Sequence, residues 1–222
     1  MRTLTATLAA LALATTAAMA QDVVRMGTEG AYPPYNFIND NNEIDGFERE
    51  LGDELCRRAN LTCEWVINDW DTIIPNLVAG NYDTIIAGMS ITEARSQVIS
   101  FTQNYLPSDP SAYMALAGAD ESVMSGIVAT QSNTVQAGVV AETDATLVEF
   151  PTPDETIAAV RNGIADAVLA DGDFLMTYMT ESGGEFEFIG SLMPPGTGVA
   201  MGLRQSDTAL RETFDAAIAE MK

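Results

Sequence analysis

Apolar and polar positions follow two periods along the chain, and together they predict strands followed by helices. Short apolar runs predict buried strands at Val23 to Gly27 and at Asp83 to Ala87. Phe47, Leu51 and Leu55 lie four positions apart, which predicts the apolar face of a helix. Such alternation is typical of an α/β fold with mainly parallel sheets.

The same alternation continues in the second half of the chain. Strands are predicted at residues 126–130 and 166–170, with a helix from about Thr134. Thr152-Pro-Asp-Glu155 predicts a helix start, because it combines a capping box with proline at the first helical position. Ser206 is expected to cap the last helix.

Two proline-containing segments, residues 105–110 and 193–198, divide the chain. A self-contained run of strands and helices lies between them, so we expect the chain to leave a first lobe, build a second and return. A cleft would then separate the lobes. We expect lobe 1 to comprise residues 21–108 and 197–222, and lobe 2 to comprise residues 109–196.

The first twenty residues are typical of a cleavable export signal. Arg2 provides a positive start, Leu4 to Ala14 form an apolar run, and Ala18-Met19-Ala20 matches the small-x-small cleavage pattern. The apolar run is too short to span a membrane. We therefore expect residues 1–20 to be removed and the mature chain to be a soluble periplasmic protein, not inserted in the membrane.

The composition excludes several classes of function. With 32 acidic against 10 basic residues, the formal net charge is -22, which disfavours nucleic acid and anionic lipid as partners. The chain has no histidine, and Lys222 is its only lysine. Histidine-based metal sites, Ser-His-Asp or Cys-His catalysis, P-loop lysines and Schiff bases thus lack their central residue. No metal or cofactor is expected.

Export also bears on the two cysteines of the chain. Cys56 and Cys63 are seven residues apart, and in an oxidising compartment they are expected to form a disulfide that closes a small loop. Two free buried thiols are the alternative. The spacing is not Cys-x-x-Cys, so no redox role is expected.

Five segments, taken in order, resemble the family-3 periplasmic amino-acid-binding proteins of ABC importers: Gly27–Tyr35, Asp45–Leu51, Asp69–Pro75, Tyr82–Arg95 and Phe101–Tyr105. The resemblance extends over residues 22–222, and the cysteine pair is similar to the disulfide of the lysine/arginine/ornithine- and histidine-binding branch. It implies a periplasmic-binding-protein-like fold of two Rossmann-like lobes joined by a two-segment hinge. It also implies capture of a free amino acid by hinge closure, delivery to an inner-membrane permease and a monomeric state.

The resemblance also implies which residues hold the amino-acid backbone. A carboxylate calls for a cation, and the planar fork of Arg95 can bind it with two hydrogen bonds. Asp171 matches the family aspartate that binds the α-ammonium, with Asp173 as the competing candidate. The remaining contacts are expected from Ala87, Gly88, Ser90 and Thr134. Ala87 and Gly88 stand where the family often has serines, and Asn133 stands where glycine is common.

Three residues bear on specificity. Tyr32 and Trp70 match the family positions that sandwich the ligand side chain, and Glu29 matches the position of a carboxylate at its far end. Aromatic faces and an acid favour a cation, so we expect arginine, lysine or ornithine, with histidine less favoured. An opine or a polar neutral amino acid stays open. The alternative interpretations are a core tryptophan for Trp70 and a solvated turn residue for Glu29.

Other functions on the same fold stay open as well. One is a sensory module that hands its ligand to a receptor. Another is an enzyme similar to cyclohexadienyl dehydratase, which would need Glu29 or Glu142 as its acid. The family usually continues with a short helix after a segment like Ala219–Lys222, so lobe 1 is expected to be short at this end and less stable than in full-length relatives.

Overall fold

A computed structural model of the protein describes residues 23–193 and 196–222, and the export signal predicted at residues 1–20 lies outside these ranges. The strands are β1 Val24–Thr28, β2 Ala31–Tyr32, β3 Asn36–Ile38, β4 Ile44–Asp45, β5 Cys63–Ile67, β6 Thr84–Ile85, β7 Ser100–Phe101, β8 Ser111–Leu116, β9 Ile127–Gln131, β10 Thr146–Phe150, β11 Ala167–Asp171, β12 Phe186–Ile189 and β13 Gly202–Leu203. The α-helices are α1 Phe47–Arg58, α2 Ile73–Val78, α3 Glu93–Ser96, α4 Val135–Ala141, α5 Pro153–Arg161, α6 Gly172–Glu181 and α7 Thr208–Ala219.

Lobe 1 is built on a five-stranded sheet in the order β5-β1-β6-β13-β7. The first three strands are parallel, and β13 is antiparallel to both of its neighbours. Because β7 and β6 are both antiparallel to β13, β7 runs in the same direction as the first three strands, and four of the five strands are parallel. A small antiparallel sheet of β2, β3 and β4 adjoins it.

Lobe 2 repeats this arrangement in a second sheet, β10-β9-β11-β8-β12. Here β10, β9 and β11 are parallel, and β8 is antiparallel to β11 and β12. In both sheets the antiparallel strand is the first one formed after the chain crosses between lobes. The prediction of an α/β fold with two Rossmann-like lobes is confirmed.

Apolar helix faces cover the sheets as the sequence periods predict. In lobe 1, Leu55 of α1 and Phe214 of α7 are fully buried in one cluster. Phe47, by contrast, is 42 % exposed, because it stands at the start of α1 beside the groove that also contains Tyr35 and Leu106. The predicted apolar face of α1 therefore begins one turn later, at Leu51.

The two predicted helix starts have different outcomes. The capping box of α5 is present: Glu155 N donates to Thr152 Oγ1 at 3.4 Å, and Thr152 N donates to Glu155 Oε2 at 3.1 Å. The expectation that Ser206 caps α7 is wrong. Asp207 occupies the position before α7, and the Ser206 hydroxyl donates to the Asp207 carboxylate at 2.8 Å.

The two crossing segments lie side by side between the lobes. Val199 N donates to Leu106 O at 3.0 Å, and Gly198 N donates to Ser108 Oγ at 2.8 Å. Cys56 and Cys63 form a disulfide bond that joins the end of α1 to the start of β5. Within the described ranges, the helices are too short or too polar to cross a bilayer.

Candidate ligand-binding site

A cavity lies between the lobes at the carboxyl ends of β1, β9 and β11. Open α/β sheets collect ligand groups at this edge. Residues of both lobes line it: Glu29, Tyr32, Trp70, Ala87, Gly88, Ser90, Arg95, Gln131, Thr134, Val135, Gln136 and Asp171. All nine residues predicted from the sequence are among them, and the structure brings them together from segments far apart in the chain. Their roles as ligand contacts stay predictions.

The cation of the cavity is Arg95, which the N-cap Thr92 places near the start of α3. Arg95 Nη1 donates to Ser90 O at 2.9 Å, and Nη2 reaches across the cleft to Asn133 O at 3.1 Å. Its guanidinium carbon lies 5.2 Å from the centre of the Trp70 ring. Burial lowers the pKa of Arg95 to about 10, and the charge of Asp171 partly opposes this shift.

No carboxylate among the described residues forms an ion pair with Arg95. A desolvated guanidinium without an anionic partner is energetically costly. The site can therefore gain free energy by taking up a carboxylate.

Asp171 ends β11 on the opposite wall of the cavity. Its Oδ2 accepts from the Tyr32 hydroxyl at 2.9 Å, and its Oδ1 accepts from Gln136 Nε2 at 2.8 Å. Burial raises the pKa of Asp171 to about 6, although these donors oppose the shift. The competing residue, Asp173, lines a different groove, where it accepts from the Tyr35 hydroxyl at 3.2 Å.

Glu29 follows β1 directly and is only 8 % exposed, so the alternative of a solvated turn residue is excluded. Gln131, which ends β9 in lobe 2, donates from Nε2 to Glu29 Oε1 at 2.5 Å and to Pro151 O at 3.1 Å. Burial is the largest cause that raises the pKa of Glu29 to about 7, and Asp69 and Asp71 raise it further. The cavity thus contains two carboxylates that form no ion pair with a cation of the described residues.

The aromatic residues occupy different surroundings. Trp70 begins a 3₁₀ turn and packs in the buried cluster of Ile73 and Leu77 while it also lines the cavity, so it serves as a core residue and a wall at once. Tyr32 stacks on Phe174 of lobe 2, with 4.4 Å between ring centres and 5° between ring planes. Both rings line the cavity, where Phe174 lies against Tyr32 and the Arg95 guanidinium lies over Trp70.

The remaining predicted residues either follow β6, as Ala87, Gly88 and Ser90 do, or precede α4, as Thr134 does. Gly88 has a φ of +59°, a conformation that most residues with a side chain avoid. Thr134 caps α4: its Oγ1 accepts from Ala137 N at 3.2 Å and donates to Gln131 O at 2.7 Å. Asn133 has a φ of +57°, and asparagine tolerates this left-handed conformation. Its presence where the family has glycine is therefore compatible with a left-handed backbone.

Further polar contacts close the cleft beside the cavity. The Asp71 carboxylate accepts from Ser132 Oγ at 2.6 Å and from Asn133 Nδ2 at 2.8 Å, and these donors belong to lobe 2. The structure is therefore a closed one, with hydrogen bonds between the lobes.

Gln131, Val135 and Gln136 line the cavity but are absent from the predicted set. They flank Thr134, because Gln131 ends β9 while Val135 and Gln136 begin α4. Their closeness to a predicted site residue could have indicated them from the sequence. Glu142, the alternative to Glu29 as the acid of an enzyme, is exposed at the end of α4 and is not among the residues that line the cavity. Over the described part of the chain, no cluster of three or more acidic or cysteine side chains could hold a metal ion.

The model of the bacterial extracellular solute-binding proteins, family 3, matches residues 24–222. The chain belongs to this family. Its histidine-binding periplasmic relative from Escherichia coli K12 is 31% identical over 229 residues, which is 95% of this chain and 86% of the relative. The octopine-binding periplasmic protein of Rhizobium meliloti is 47% identical, over 89 residues that span 40% of this chain and 30% of that protein.

A solved structure supports the same assignment. The periplasmic His/Glu/Gln/Arg/opine family-binding protein from Silicibacter pomeroyi, in complex with lysine, is 69% identical with a TM-score of 0.86. The similarity covers 89% of this chain and 90% of that protein. These relatives are binding proteins of the periplasm, and that protein was crystallised with an amino acid whose side chain is a cation.

Proposed function

We propose that this protein binds a free amino acid with a cationic side chain, most favourably lysine, arginine or ornithine, between its two lobes. The observation that carries the proposal is the charge inventory of the cavity. Its lining contains one cation, Arg95, and two carboxylates, Glu29 and Asp171. A basic amino acid carries the complementary set, one carboxylate and two cations.

Each charge has a partner in this arrangement. Arg95 would bind the α-carboxylate, Asp171 the α-ammonium, and Glu29 the cation at the end of the side chain. Tyr32 and Trp70 would flank the aliphatic part, and Ala87, Gly88, Ser90 and Thr134 would complete the contacts. A ligand without a side-chain cation would leave the buried Glu29 unpaired, which is costly.

Hinge closure is the mechanism that we propose. Lobe 1, residues 21–108 and 197–222, would move against lobe 2, residues 109–196, about the paired crossing segments. The separate sheets of the two lobes support these bounds. We further propose that the protein acts as a monomer in the periplasm after removal of residues 1–20. It would deliver its ligand to an ABC permease and, unlike an enzyme, release the ligand unchanged.

The test is thermal unfolding and calorimetry with lysine, arginine, ornithine and the neutral analogue norleucine, which is lysine without its side-chain ammonium. A ligand at a hundred times its Kd should stabilise the fold by about 2.7 kcal/mol, which raises Tm by roughly 5–10 °C. Arg95→Ala and Asp171→Asn should abolish the shift. Arg57→Ala, which removes a mostly exposed arginine, is the matched control.

Two further observations would separate the alternatives. Lysine recovered from the protein should be chemically unchanged by mass spectrometry, whereas a modified product would indicate an enzyme. Deletion of the gene should lower cellular uptake of radiolabelled lysine, whereas a purely sensory protein would leave uptake intact. Stabilisation by norleucine equal to that by lysine would contradict the proposed specificity.

A further inference from the structure

A buried carboxylate lies next to the cavity in the interior of lobe 1. Glu48, in the first turn of α1, is fully buried, and its side chain accepts three hydrogen bonds. Oε1 accepts from Gly88 N at 2.6 Å and from the Tyr105 hydroxyl, and Oε2 accepts from Asn36 Nδ2 at 2.7 Å. No ion pair among the described residues includes it. The burial of such a group costs free energy, and these three hydrogen bonds offset part of that cost.

Through its donors, Glu48 is connected to two of the three segments that form the lobe 1 half of the cavity. Asn36 connects Glu48 to the first segment, because its amide donates to Glu48 and its Oδ1 accepts from Gly30 N at 2.7 Å. Gly30 directly follows Glu29, which lines the cavity. Gly88 lies in the other loop and lines the cavity itself. Both glycines have a positive φ, +72° and +59°. Because glycine populates positive and negative φ about equally, the hydrogen bonds to the two glycine N–H groups help to hold these loops in one conformation.

We propose that Glu48 is a positioning residue for amino-acid binding, which holds the loops of Gly30 and Gly88 in the geometry that the ligand requires. Glu48 itself does not line the cavity. The inference rests on the proposed function, because the affinity for a basic amino acid is the property that these loops would set.

The direction of the hydrogen bonds allows a decisive substitution. In Glu48→Gln, the amide oxygen can still accept from Gly88 and Tyr105, but its NH₂ group then faces the NH₂ group of Asn36. If Asn36 rotates its amide, it loses the acceptor that Gly30 needs. One buried donor therefore stays unpaired in either orientation.

The double variant Asn36→Asp/Glu48→Gln restores every hydrogen bond. The carboxylate introduced at position 36 would accept from Gly30 N and from the amide NH₂ introduced at position 48. The amide oxygen at position 48 would still accept from Gly88 and Tyr105. The exchange preserves the formal charge and nearly the whole volume. Calorimetry with lysine should show at least tenfold weaker binding for Glu48→Gln, and binding within about threefold of the wild type for the double variant.

Amide NMR supplies a readout that a loss of general stability would not produce. The Gly88 amide proton should shift upfield in both variants, because its acceptor changes from a carboxylate to an amide. The Gly30 amide proton should shift downfield in the double variant alone, since its acceptor becomes a carboxylate. Asp53→Asn, at an exposed residue of the same helix, is the control and should leave both glycines and the affinity unchanged.

The outcomes decide the proposal separately from the proposed function. Absence of lysine binding by the wild type would refute the proposed function alone. If the wild type binds, unchanged affinity in a folded Glu48→Gln variant would overturn the positioning role. So would a double variant that binds as weakly as the single one, or one that fails to fold, because its restored hydrogen bonds predict both folding and binding. Should Glu48→Gln alone not fold, the affinity of the double variant decides.

Discussion

Replacement of Glu29 by glutamine tests how the cavity selects the side chain of its ligand. Gln131 donates to Glu29 Oε1 at 2.5 Å, and the amide oxygen of the variant can accept the same bond, so the closed structure is retained. What is lost is the negative charge of a residue that is 8 % exposed. A hydrogen bond to a charged group contributes about 1.5–3 kcal/mol, so lysine affinity at pH 8 should fall about 10- to 150-fold.

The pH dependence of binding gives an independent measure of the same contact. Burial raises the pKa of Glu29 to about 7, so in the unliganded protein this carboxylate takes up a proton as the pH falls below 7. A bound cation favours the ionised carboxylate and must displace the proton. Wild-type affinity for lysine should therefore be highest near pH 8 and decrease as the pH falls, by up to about tenfold per pH unit below 7.

Asp171 adds a second decrease at lower pH, because burial raises its pKa to about 6. In Glu29→Gln only this second decrease should remain. Calorimetry between pH 5.5 and pH 9, with lysine and norleucine as ligands, measures both effects.

Glu142→Gln makes the same chemical change at an exposed position and should leave the affinity unaltered. Norleucine, which has no side-chain cation, should bind Glu29→Gln at least as tightly as the wild type, because the variant has no buried charge to leave unpaired. The reasoning fails if Glu29→Gln binds lysine within twofold of the wild type at pH 8. It also fails if wild-type affinity is the same at pH 8 and pH 6.

Three more predictions concern the rest of the molecule. Cys56→Ser/Cys63→Ser should lower the free energy of unfolding by about 2 kcal/mol, because the disulfide closes a loop with a sequence separation of 7; denaturant unfolding, with the reduced wild type as reference, measures this. Asp71→Ala removes the acceptor of two lobe 2 donors and should speed lysine release severalfold in stopped-flow experiments, whereas the exposed Asp144→Ala should not. Thr152→Ala should cost about 1 kcal/mol of stability at the start of α5, measured by thermal unfolding, and an unchanged Tm would contradict the capping role.

Local patterns predicted the elements of the fold well where the determining forces are themselves local. The Thr152–Glu155 capping box and the buried strand near residues 126–130 are present, since both depend on side chains within one turn or one apolar run. Ser206 and Phe47 show the limit of such patterns. The Ser206 hydroxyl donates to Asp207, so Ser206 does not cap the helix. Phe47 lies at the start of a helix and is 42 % exposed.

The residues of the cavity could be predicted only in part. The resemblance to a family indicated Arg95 and Asp171, because short motifs preserve their position relative to a strand end. It did not indicate Gln131, whose amide reaches Glu29 from the opposite lobe. It also left Glu48 without a role, since its buried contacts join residues 36, 88 and 105.

The class of this protein can be read from its residues alone: it is an acidic, histidine-free α/β chain whose motifs are those of an amino-acid binder. How the charges of the cleft are balanced becomes visible in the folded molecule. Burial, which raises the pKa values of Glu29 and Asp171 and lowers that of Arg95, depends on how closely two separate sheets approach each other. Desolvation is a property of the assembled lobes, and no short segment of sequence contains it.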